Sequence, residues 1–140
     1  MNTGANIVPR ILFVEDNPDD ALLAKTAVGK SGIPVQIDFV DNGSDAITLL
    51  TGAAKLPDIT FLDINLQLVN GLDVLRTVRA QAADRQPVVI VMTTSTDPKD
   101  ESTARELGCN EFYVKPLGYA DYLEIMSNIL QRWLPKARSD

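Results

Sequence analysis

The sequence predicts a single α/β domain in which a doubly wound parallel sheet of five strands alternates with five helices. Short apolar runs alternate along the chain with longer segments whose apolar residues have helical spacing. Two of the runs, residues 59–62 and 87–92, are almost continuously apolar, as strands buried on both faces of a parallel sheet are. The connections between the runs are short, which favours right-handed crossovers between neighbouring strands.

The elements follow in order from these patterns and from turn residues. The strands are predicted at residues 10–14, 35–40, 58–62, 87–92 and 111–114. The helices are predicted to begin near residues 18, 44, 71, 98 and 119. In the first helix, Asn17 is the expected cap and Pro18 the first helical residue, with Asp19 and Asp20 favourable near the positive end of the helix dipole. The last helix is expected to run from about Tyr119 to Trp133.

Composition limits the classes of function. The chain has 140 residues, 45% hydrophobic and 23% charged, which predicts one globular domain over residues 9–134 between short tails, 1–8 and 135–140. A net charge of −6 argues against nucleic-acid and anionic-membrane partners. With no histidine, the chain cannot form a Ser-His-Asp triad or a histidine zinc site. The single cysteine, Cys109, is expected to be a small core residue in a reducing compartment, hence a cytoplasmic location.

Polar residues follow four of the predicted strands, and the carboxyl ends of parallel strands share one edge of a sheet. Glu15 and Asp16 follow the first strand, Asp63 the third, Thr93 the fourth and Lys115 the fifth. Carboxylates about 4 Å apart repel by roughly 4 kcal/mol at an effective dielectric near 20, so the group needs a cation, and oxygen ligands suit Mg²⁺. A carboxylate can also accept a phosphoryl group, whose charge the lysine and hydroxyl would help to neutralise. This pattern predicts a phosphorylation site on Asp63.

The same five positions resemble the response-regulator receiver domain of two-component signalling. Asp63 and Thr93 are 30 residues apart, and Thr93 and Lys115 are 22 apart, as is usual in that family. The resemblance covers about residues 9–134 and implies a flavodoxin-like sheet with strand order 2-1-3-4-5. The turn at 15–20 and the segment 93–95 look most like single-domain regulators associated with bacterial phytochrome kinases.

The resemblance implies a role for each position. Asp63 would take a phosphoryl group from the phosphohistidine of a sensor histidine kinase or phosphotransfer protein. Lys115 would contact that group, aimed by a cis bond to Pro116, and the Thr94 backbone would bind it as well. The Mg²⁺ ligands would be Glu15, Asp16, Asp63 and the backbone carbonyl of Asn65.

Thr93 and Phe112 would form the switch. Phosphorylation would draw the Thr93 hydroxyl towards the site and let Phe112 turn, altering the face of the fourth helix, fifth strand and fifth helix for an unknown downstream target. The chain departs from the usual family pattern at a few positions, among them Gln67, which stands where proline is usual.

The last helix carries more apolar residues than one core-facing stripe of about 100° needs. Two interpretations stay open, a homodimer through the face of the fourth helix, fifth strand and fifth helix, or a broad core-facing surface. The residues concerned are Tyr119, Tyr122, Leu123, Ile125, Met126, Ile129, Leu130 and Trp133.

Other classes of function remain as alternatives to a phosphoacceptor with at most autophosphatase activity. An aspartyl-phosphate hydrolase would also use a strand-end aspartate, but it normally has a second aspartate where this chain has Asn65. A flavin-binding module lacks its phosphate loop after the first strand, where Glu15 and Asp16 would repel a phosphate. The third alternative is an unphosphorylated docking module.

Overall fold

A computed structural model describes residues 8–52, 55–81 and 86–134, and these residues form the predicted alternation of strands and helices. The strands are β1 (Arg10–Val14), β2 (Gln36–Val40), β3 (Ile59–Leu62), β4 (Val89–Thr93) and β5 (Glu111–Val114). The helices are α1 (Pro18–Lys30), α2 (Gly43–Gly52), α3 (Gly71–Arg79), α4 (Pro98–Glu106) and α5 (Tyr119–Trp133). The strands are parallel and ordered β2-β1-β3-β4-β5, which confirms the predicted fold.

The sheet separates two apolar clusters. One lies between the sheet and helices α1 and α5. Its Phe13 and Phe61 stack with ring centroids 4.7 Å apart, and the exposed Phe39 on β2 extends the stack at 5.3 Å from Phe13. The other lies beneath α2, α3 and α4. β3 and β4 are buried along their whole length, as their continuous apolarity predicts, whereas β2 is partly exposed because it forms an edge of the sheet.

Polar side chains cap three of the helices, as was predicted for α1. The Asn17 side chain accepts hydrogen bonds from the N–H groups of Asp19 and Asp20, with Pro18 at the first helical position. Asn70 and Asp97 cap α3 and α4 in the same way. Each of these caps follows a strand, so the positive ends of three helix dipoles face the edge where β1, β3 and β4 end.

α5 packs most of its apolar residues against the core. Seven of the eight residues named above are buried or half-buried in the cluster beside α1, and only Tyr119 is exposed. This packing matches the broad core-facing interpretation; the predicted homodimer stays a prediction.

One sequence-based expectation is wrong. No cis peptide bond occurs in the described ranges, so Lys115 and Pro116 are joined by a trans bond. For a bond preceding proline, trans is favoured by about 0.5–1 kcal/mol, and the Lys115 side chain reaches the site in this form. Within the same ranges no helix is long and apolar enough to span a lipid bilayer.

Candidate functional site

The carboxyl ends of β1, β3 and β5 and the first turn of α1 bring three carboxylates and one ammonium group together. Lys115 Nζ donates to Glu15 Oε1 at 2.8 Å, to Asp20 Oδ2 at 3.0 Å and to Asp63 Oδ2 at 3.1 Å. We call Glu15, Asp20, Asp63 and Lys115 the acidic rim. One oxygen from each of the three carboxylates lies within 4.8 Å of the others, and with one ammonium among three carboxylates the formal charge is −2.

The acidic rim is largely withdrawn from solvent. The side chains of Asp63 and Glu15 are 8% and 9% exposed, and that of Lys115 is 12% exposed. Burial raises the pKa of Glu15, partly offset by its hydrogen bond to Lys115. Burial alone would lower the pKa of Lys115, but the hydrogen bond to Glu15 and the charges of Asp63 and Glu15 outweigh it, and the pKa is raised. The lysine is therefore held as an ammonium ion inside a cluster that has a surplus of negative charge.

Asp63 is anchored on both sides. Its backbone N–H continues the ladder with β1 by donating to the Val14 carbonyl at 3.2 Å, and its Oδ1 accepts the Asn65 N–H at 2.9 Å. The loop that follows returns close to it, since a Cβ on Gly71 would collide with the Asp63 carbonyl oxygen and the Ile64 Cα. The position of the Asp63 carboxylate thus depends on a glycine at the start of α3.

Thr93 and Phe112 lie on one face of neighbouring strands. Thr93 is fully buried, and its Oγ1 accepts hydrogen bonds from the Ser95 N–H at 3.1 Å and from Asn65 Nδ2 at 3.3 Å. Phe112 is opposite Val91, two residues before Thr93, and is half-buried in the cluster beneath α2, α3 and α4. Thr94 follows β4 and is exposed, with its Oγ1 accepting from Asn65 Nδ2.

Of the three carboxylates predicted at the site, Asp16 is the one that the structure places outside the acidic rim. Its Oδ2 accepts the Gln67 backbone N–H at 2.9 Å. A proline at position 67, usual in the family that the sequence resembles, has no N–H to donate. The departure noted at Gln67 therefore coincides with an Asp16 carboxylate that is turned towards the loop after β3.

Asp20 takes a place in the rim that sequence reasoning did not give it. The sequence placed it only near the dipole of α1, although the first turn of a helix that follows a strand also lies at the strand's carboxyl end. The helical spacing could have indicated this place. Asp20 lies one turn before Ala24, on the face of α1 that continues to the buried Ala27 and Val28. Asp19 points instead to solvent.

A small cavity lies beneath the rim, between the sheet and α1 and α5. Its volume is about 20 Å³, enough for one water molecule. Apolar side chains and one phenol, that of Tyr122, form the part below Lys115. Burial raises the pKa of Tyr122 to about 12, with Asp20 and Glu15 adding to the effect and Lys115 opposing it. The charged groups of the rim therefore lie next to a largely apolar lining.

This donor set fits a hard divalent cation. All candidate ligands are oxygen atoms, they carry a surplus of negative charge, and Glu15 and Asp63 are held on neighbouring elements of the rim. The Asn65 carbonyl, the fourth predicted ligand, lies in the loop between β3 and α3 that begins at Asp63. The set contains neither sulfur nor imidazole, so it does not suit a zinc site.

The sequence as a whole matches a known family. Residues 11–127 match the family described as the response regulator receiver domain. Among curated proteins, the chain is 32% identical over 133 residues to the probable methanogenesis regulatory protein FilR2 of Methanothrix harundinacea, covering 92% of this chain and 86% of that protein. It is 31% identical to the DNA-binding response regulator MtrA of Mycolicibacterium smegmatis, but spans only 44% of that protein's length.

Solved structures are similar along almost the whole chain. The phosphorylated cyanobacterial phytochrome response regulator RcpA superimposes with a TM-score of 0.83 at 27% identity, covering 94% of this chain and 98% of that one. The Mn²⁺-bound form of response regulator Rcp1 does so with a TM-score of 0.81 at 25% identity, covering 93% and 97%. The receiver domain of sensor histidine kinase PA1611 from Pseudomonas aeruginosa, with a magnesium ion in its active-site cleft, gives 0.71 at 25% identity, covering 91% and 98%.

Proposed function

This chain belongs to the response regulator receiver domain family, and on that premise we propose that it accepts a phosphoryl group on Asp63. Receiver domains are phosphorylated by histidine kinases and are typically phosphoacceptors rather than enzymes in their own right. The observation that carries the assignment to Asp63 is its buried carboxylate at the end of β3, within hydrogen-bond distance of the Lys115 ammonium.

The proposed reaction is a displacement at phosphorus. A carboxylate oxygen of Asp63 attacks and forms the new O–P bond, while the bond from phosphorus to the donor's histidine nitrogen breaks and that nitrogen keeps the electron pair. The transition state carries charge on the oxygens of the transferred group, which cationic and hydrogen-bonding groups stabilise. Lys115 supplies the positive charge, and the hydroxyl of Thr93 and the backbone of Thr94 are the proposed further contacts.

We propose Mg²⁺ as the cofactor, held by Glu15, Asp63 and the carbonyl of Asn65. The surplus negative charge of the acidic rim supports this, as do the metal ions in Rcp1 and in the PA1611 receiver domain. When bound, the ion would neutralise charge on the transferred oxygens. Asp16 joins the proposed ligand set if its carboxylate leaves the Gln67 N–H.

The proposed switch begins at the Thr93 hydroxyl. Its two present donors, the Ser95 N–H and Asn65 Nδ2, would be lost when the hydroxyl turns towards a phosphoryl group on Asp63. Ser95 also contacts the first turn of α4 through a hydrogen bond to Asp100. Phe112 shares the face of the sheet with Thr93, so its side chain would respond to the space that Thr93 leaves. The affected surface consists of α4, β5 and α5.

The proposed setting is a two-component pathway in the cytoplasm. The donor would be a sensor histidine kinase or a phosphotransfer protein, and similarity to RcpA supports a kinase of the phytochrome type. We propose that residues 9–134 act as a stand-alone regulator whose only activity is loss of its own phosphoryl group. The α4-β5-α5 face would bind an unidentified target. The same face would also be the site of a homodimer. A net charge of −6 supports a protein partner rather than nucleic acid. Light scattering with and without phosphorylation tests the homodimer.

Intact-mass spectrometry after incubation with acetyl phosphate and Mg²⁺ tests the assignment. The protein should gain one phosphoryl group, and Asp63→Asn should gain none. Asp41→Asn is the matched control, because Asp41 is an exposed aspartate that follows β2 at the same edge of the sheet. If the protein never acquires the group from acetyl phosphate or from a phosphorylated kinase, the unphosphorylated docking module becomes the better interpretation. Modification that persists in Asp63→Asn would move the acceptor to another residue.

A further inference from the structure

Asp20 is the partner of Lys115 that the proposed phosphoryl transfer does not use. It is close enough to Glu15 and Asp63 to share a cation with them, but the proposed ligands are Glu15, Asp63 and the Asn65 carbonyl. We infer that Asp20 is a positioning residue, which holds the Lys115 ammonium in the site while its other two partners change during phosphorylation. The expected effect of Asp20 on phosphorylation rests on the proposed function. The anchoring of Lys115 by Asp20 rests only on their contact in the unmodified protein.

The ammonium group of Lys115 has three protons, and each has its own carboxylate. They point to Glu15, Asp20 and Asp63 at 2.8, 3.0 and 3.1 Å. Phosphorylation converts the Asp63 carboxylate into an acyl phosphate, so that phosphoryl oxygens replace the carboxylate as the acceptor at that position, and Glu15 would be engaged by a bound cation. Two of the three partners of Lys115 therefore change in the proposed reaction, and Asp20 is the one that stays the same.

Asp20 is also held independently of the strands that carry the reacting groups. It lies in the first turn of α1, where its backbone N–H donates to the Asn17 side chain at 3.1 Å. Its side chain is 34% exposed, so it loses less hydration than Glu15 or Asp63. A partner on a separate helix can stay in place when the ends of β1 and β3 rearrange around a phosphoryl group.

The cavity beside Lys115 offers few other acceptors. Apart from the rim itself, its lining consists of apolar groups, including Ala24, Phe61 and Met92, and the Tyr122 phenol, to which Lys115 makes no hydrogen bond among the described residues. A lysine side chain has four rotatable bonds and little inherent preference for one position. Without Asp20, the ammonium would have only the transferred group as an acceptor once Asp63 is phosphorylated and Glu15 is engaged by a cation.

Asp19 provides the matched control. Asp19 and Asp20 are adjacent in the first turn of α1, their N–H groups share the Asn17 acceptor, and both are favourable to the helix dipole. Only Asp20 contacts Lys115, whereas Asp19 is exposed. An effect through helix stability should therefore appear in both alanine variants, and an effect through Lys115 only in Asp20→Ala.

The first measurement needs neither a phosphodonor nor a metal. In protein labelled with ¹⁵N-lysine, the ammonium resonance of Lys115, assigned by its loss in Lys115→Met, should be visible because three acceptors slow its exchange. We expect it to persist in Asp19→Ala and to broaden strongly in Asp20→Ala. An unchanged resonance in Asp20→Ala would overturn the inference.

The second measurement is the rate of phosphorylation by acetyl phosphate at saturating donor and Mg²⁺. Asp20→Ala should slow this first-order step about tenfold, because a displaced charge stabilises the transition state less well. Asp20→Asn should slow it only about threefold, since the amide oxygen still accepts a hydrogen bond, and Asp19→Ala should stay within about twofold.

Three results would contradict the inference: equal rates for Asp19→Ala and Asp20→Ala, equal losses for Asp20→Asn and Asp20→Ala, or faster phosphorylation in Asp20→Ala. The last would mean that Asp20 mainly repels the incoming phosphoryl group. If the unaltered protein is not phosphorylated at all, the proposed function fails, and the ammonium resonance alone decides whether Asp20 anchors Lys115.

Discussion

Two basic side chains at opposite edges of the sheet have opposite surroundings. Lys115, at the carboxyl edge, is held by three carboxylates. Arg79, at the amino edge, donates to the Gly108 and Pro87 carbonyls at 2.9 and 2.8 Å, and to the side chains of Asn110 and Gln86. Among the described residues Arg79 donates only to neutral acceptors, and its pKa is lowered because burial opposes its charge, whereas the pKa of Lys115 is raised.

The difference distinguishes a scaffold from a reactive site. Arg79 donates hydrogen bonds to backbone carbonyls where α3, β4 and the segment before β5 meet. Its planar guanidinium has five N–H groups and can donate to several acceptors at once. The acidic rim instead keeps more negative charge than its one lysine neutralises, which costs stability unless a cation or a transferred group is bound. The carboxyl edge thus carries unneutralised charge that lowers the stability of the fold but suits a reactive site. The contacts of Arg79 at the amino edge stabilise the fold.

Replacing each basic residue by methionine should have the largest effect and should separate the two edges. Arg79→Met leaves the Gly108 and Pro87 carbonyls without their side-chain donor, while Asn110 Oδ1 keeps the Val89 N–H, and we expect a loss of about 2–3 kcal/mol in the free energy of unfolding. Lys115→Met leaves three carboxylates without a counter-charge, and we expect a similar loss that Mg²⁺ largely restores. Urea unfolding with and without Mg²⁺ measures both.

The two variants are distinguished by whether Mg²⁺ restores their free energy of unfolding. If Mg²⁺ stabilises Arg79→Met more than it stabilises the unaltered protein, the amino edge also responds to the cation. No restoration of Lys115→Met would remove the argument that surplus charge at the rim selects a metal.

A methyl group added beside Asp63 should cost more than one added at the far edge. Gly71→Ala places a Cβ against the Asp63 carbonyl and the Ile64 Cα, and we expect a loss of about 2–3 kcal/mol together with slower phosphorylation. The control is Gly29→Ala near the end of α1, where a Cβ has no neighbour within 4 Å. There we expect a gain of about 0.5–1 kcal/mol from helix propensity. Thermal unfolding and intact-mass kinetics measure the two effects, and equal stability changes would contradict the close approach at Gly71.

Alkaline pH should weaken the protein through the phenol beneath the rim. Tyr122 has a pKa raised by burial from 10.0 to about 12, so the folded protein retains its proton when the unfolded chain has lost it. Its contribution is complete below about pH 10 and is lost as pH rises to about 12, by about 2–3 kcal/mol. Urea unfolding from pH 9 to 12 measures this slope, which Tyr122→Phe should reduce.

Tyr119→Phe is the control for that slope, since Tyr119 is half-exposed at the start of the same helix. It should keep the slope of the unaltered protein. A slope that is unaffected by Tyr122→Phe would place the alkaline transition elsewhere.

The smallest expected effect concerns the loop after β3. Leu68 is fully exposed and has φ of 67°, in the left-handed region that non-glycine residues rarely adopt. Leu68→Gly should therefore raise the free energy of unfolding by up to about 1 kcal/mol. Leu117, equally exposed at the same edge, has no positive φ, so Leu117→Gly should be neutral or destabilising. Chemical denaturation of both variants tests this, and a loss in Leu68→Gly would contradict the strain.

Much of the site could be predicted because it depends on short-range rules. Asp63, Thr93 and Lys115 directly follow strands, and parallel strands bring such residues to one edge whatever the details of packing. Gly71 was predicted only as the start of a helix, because its contact with Asp63 depends on how the loop folds back. The trans bond before Pro116 could not be predicted either, since the two isomers differ by about 1 kcal/mol or less.

By itself, the sequence determined the order of the elements, the cap of α1, and the placement of Glu15, Asp63 and Lys115 at one edge of the sheet. Periodicity and capping are local, so they persist whatever the rest of the chain does. Only the tertiary structure decided which carboxylates occupy the rim. Asp20 turns in towards Lys115 because of the phase of α1 on the sheet, and Asp16 turns away because Gln67 presents an N–H from a distant loop. Both choices depend on contacts between elements far apart in the chain.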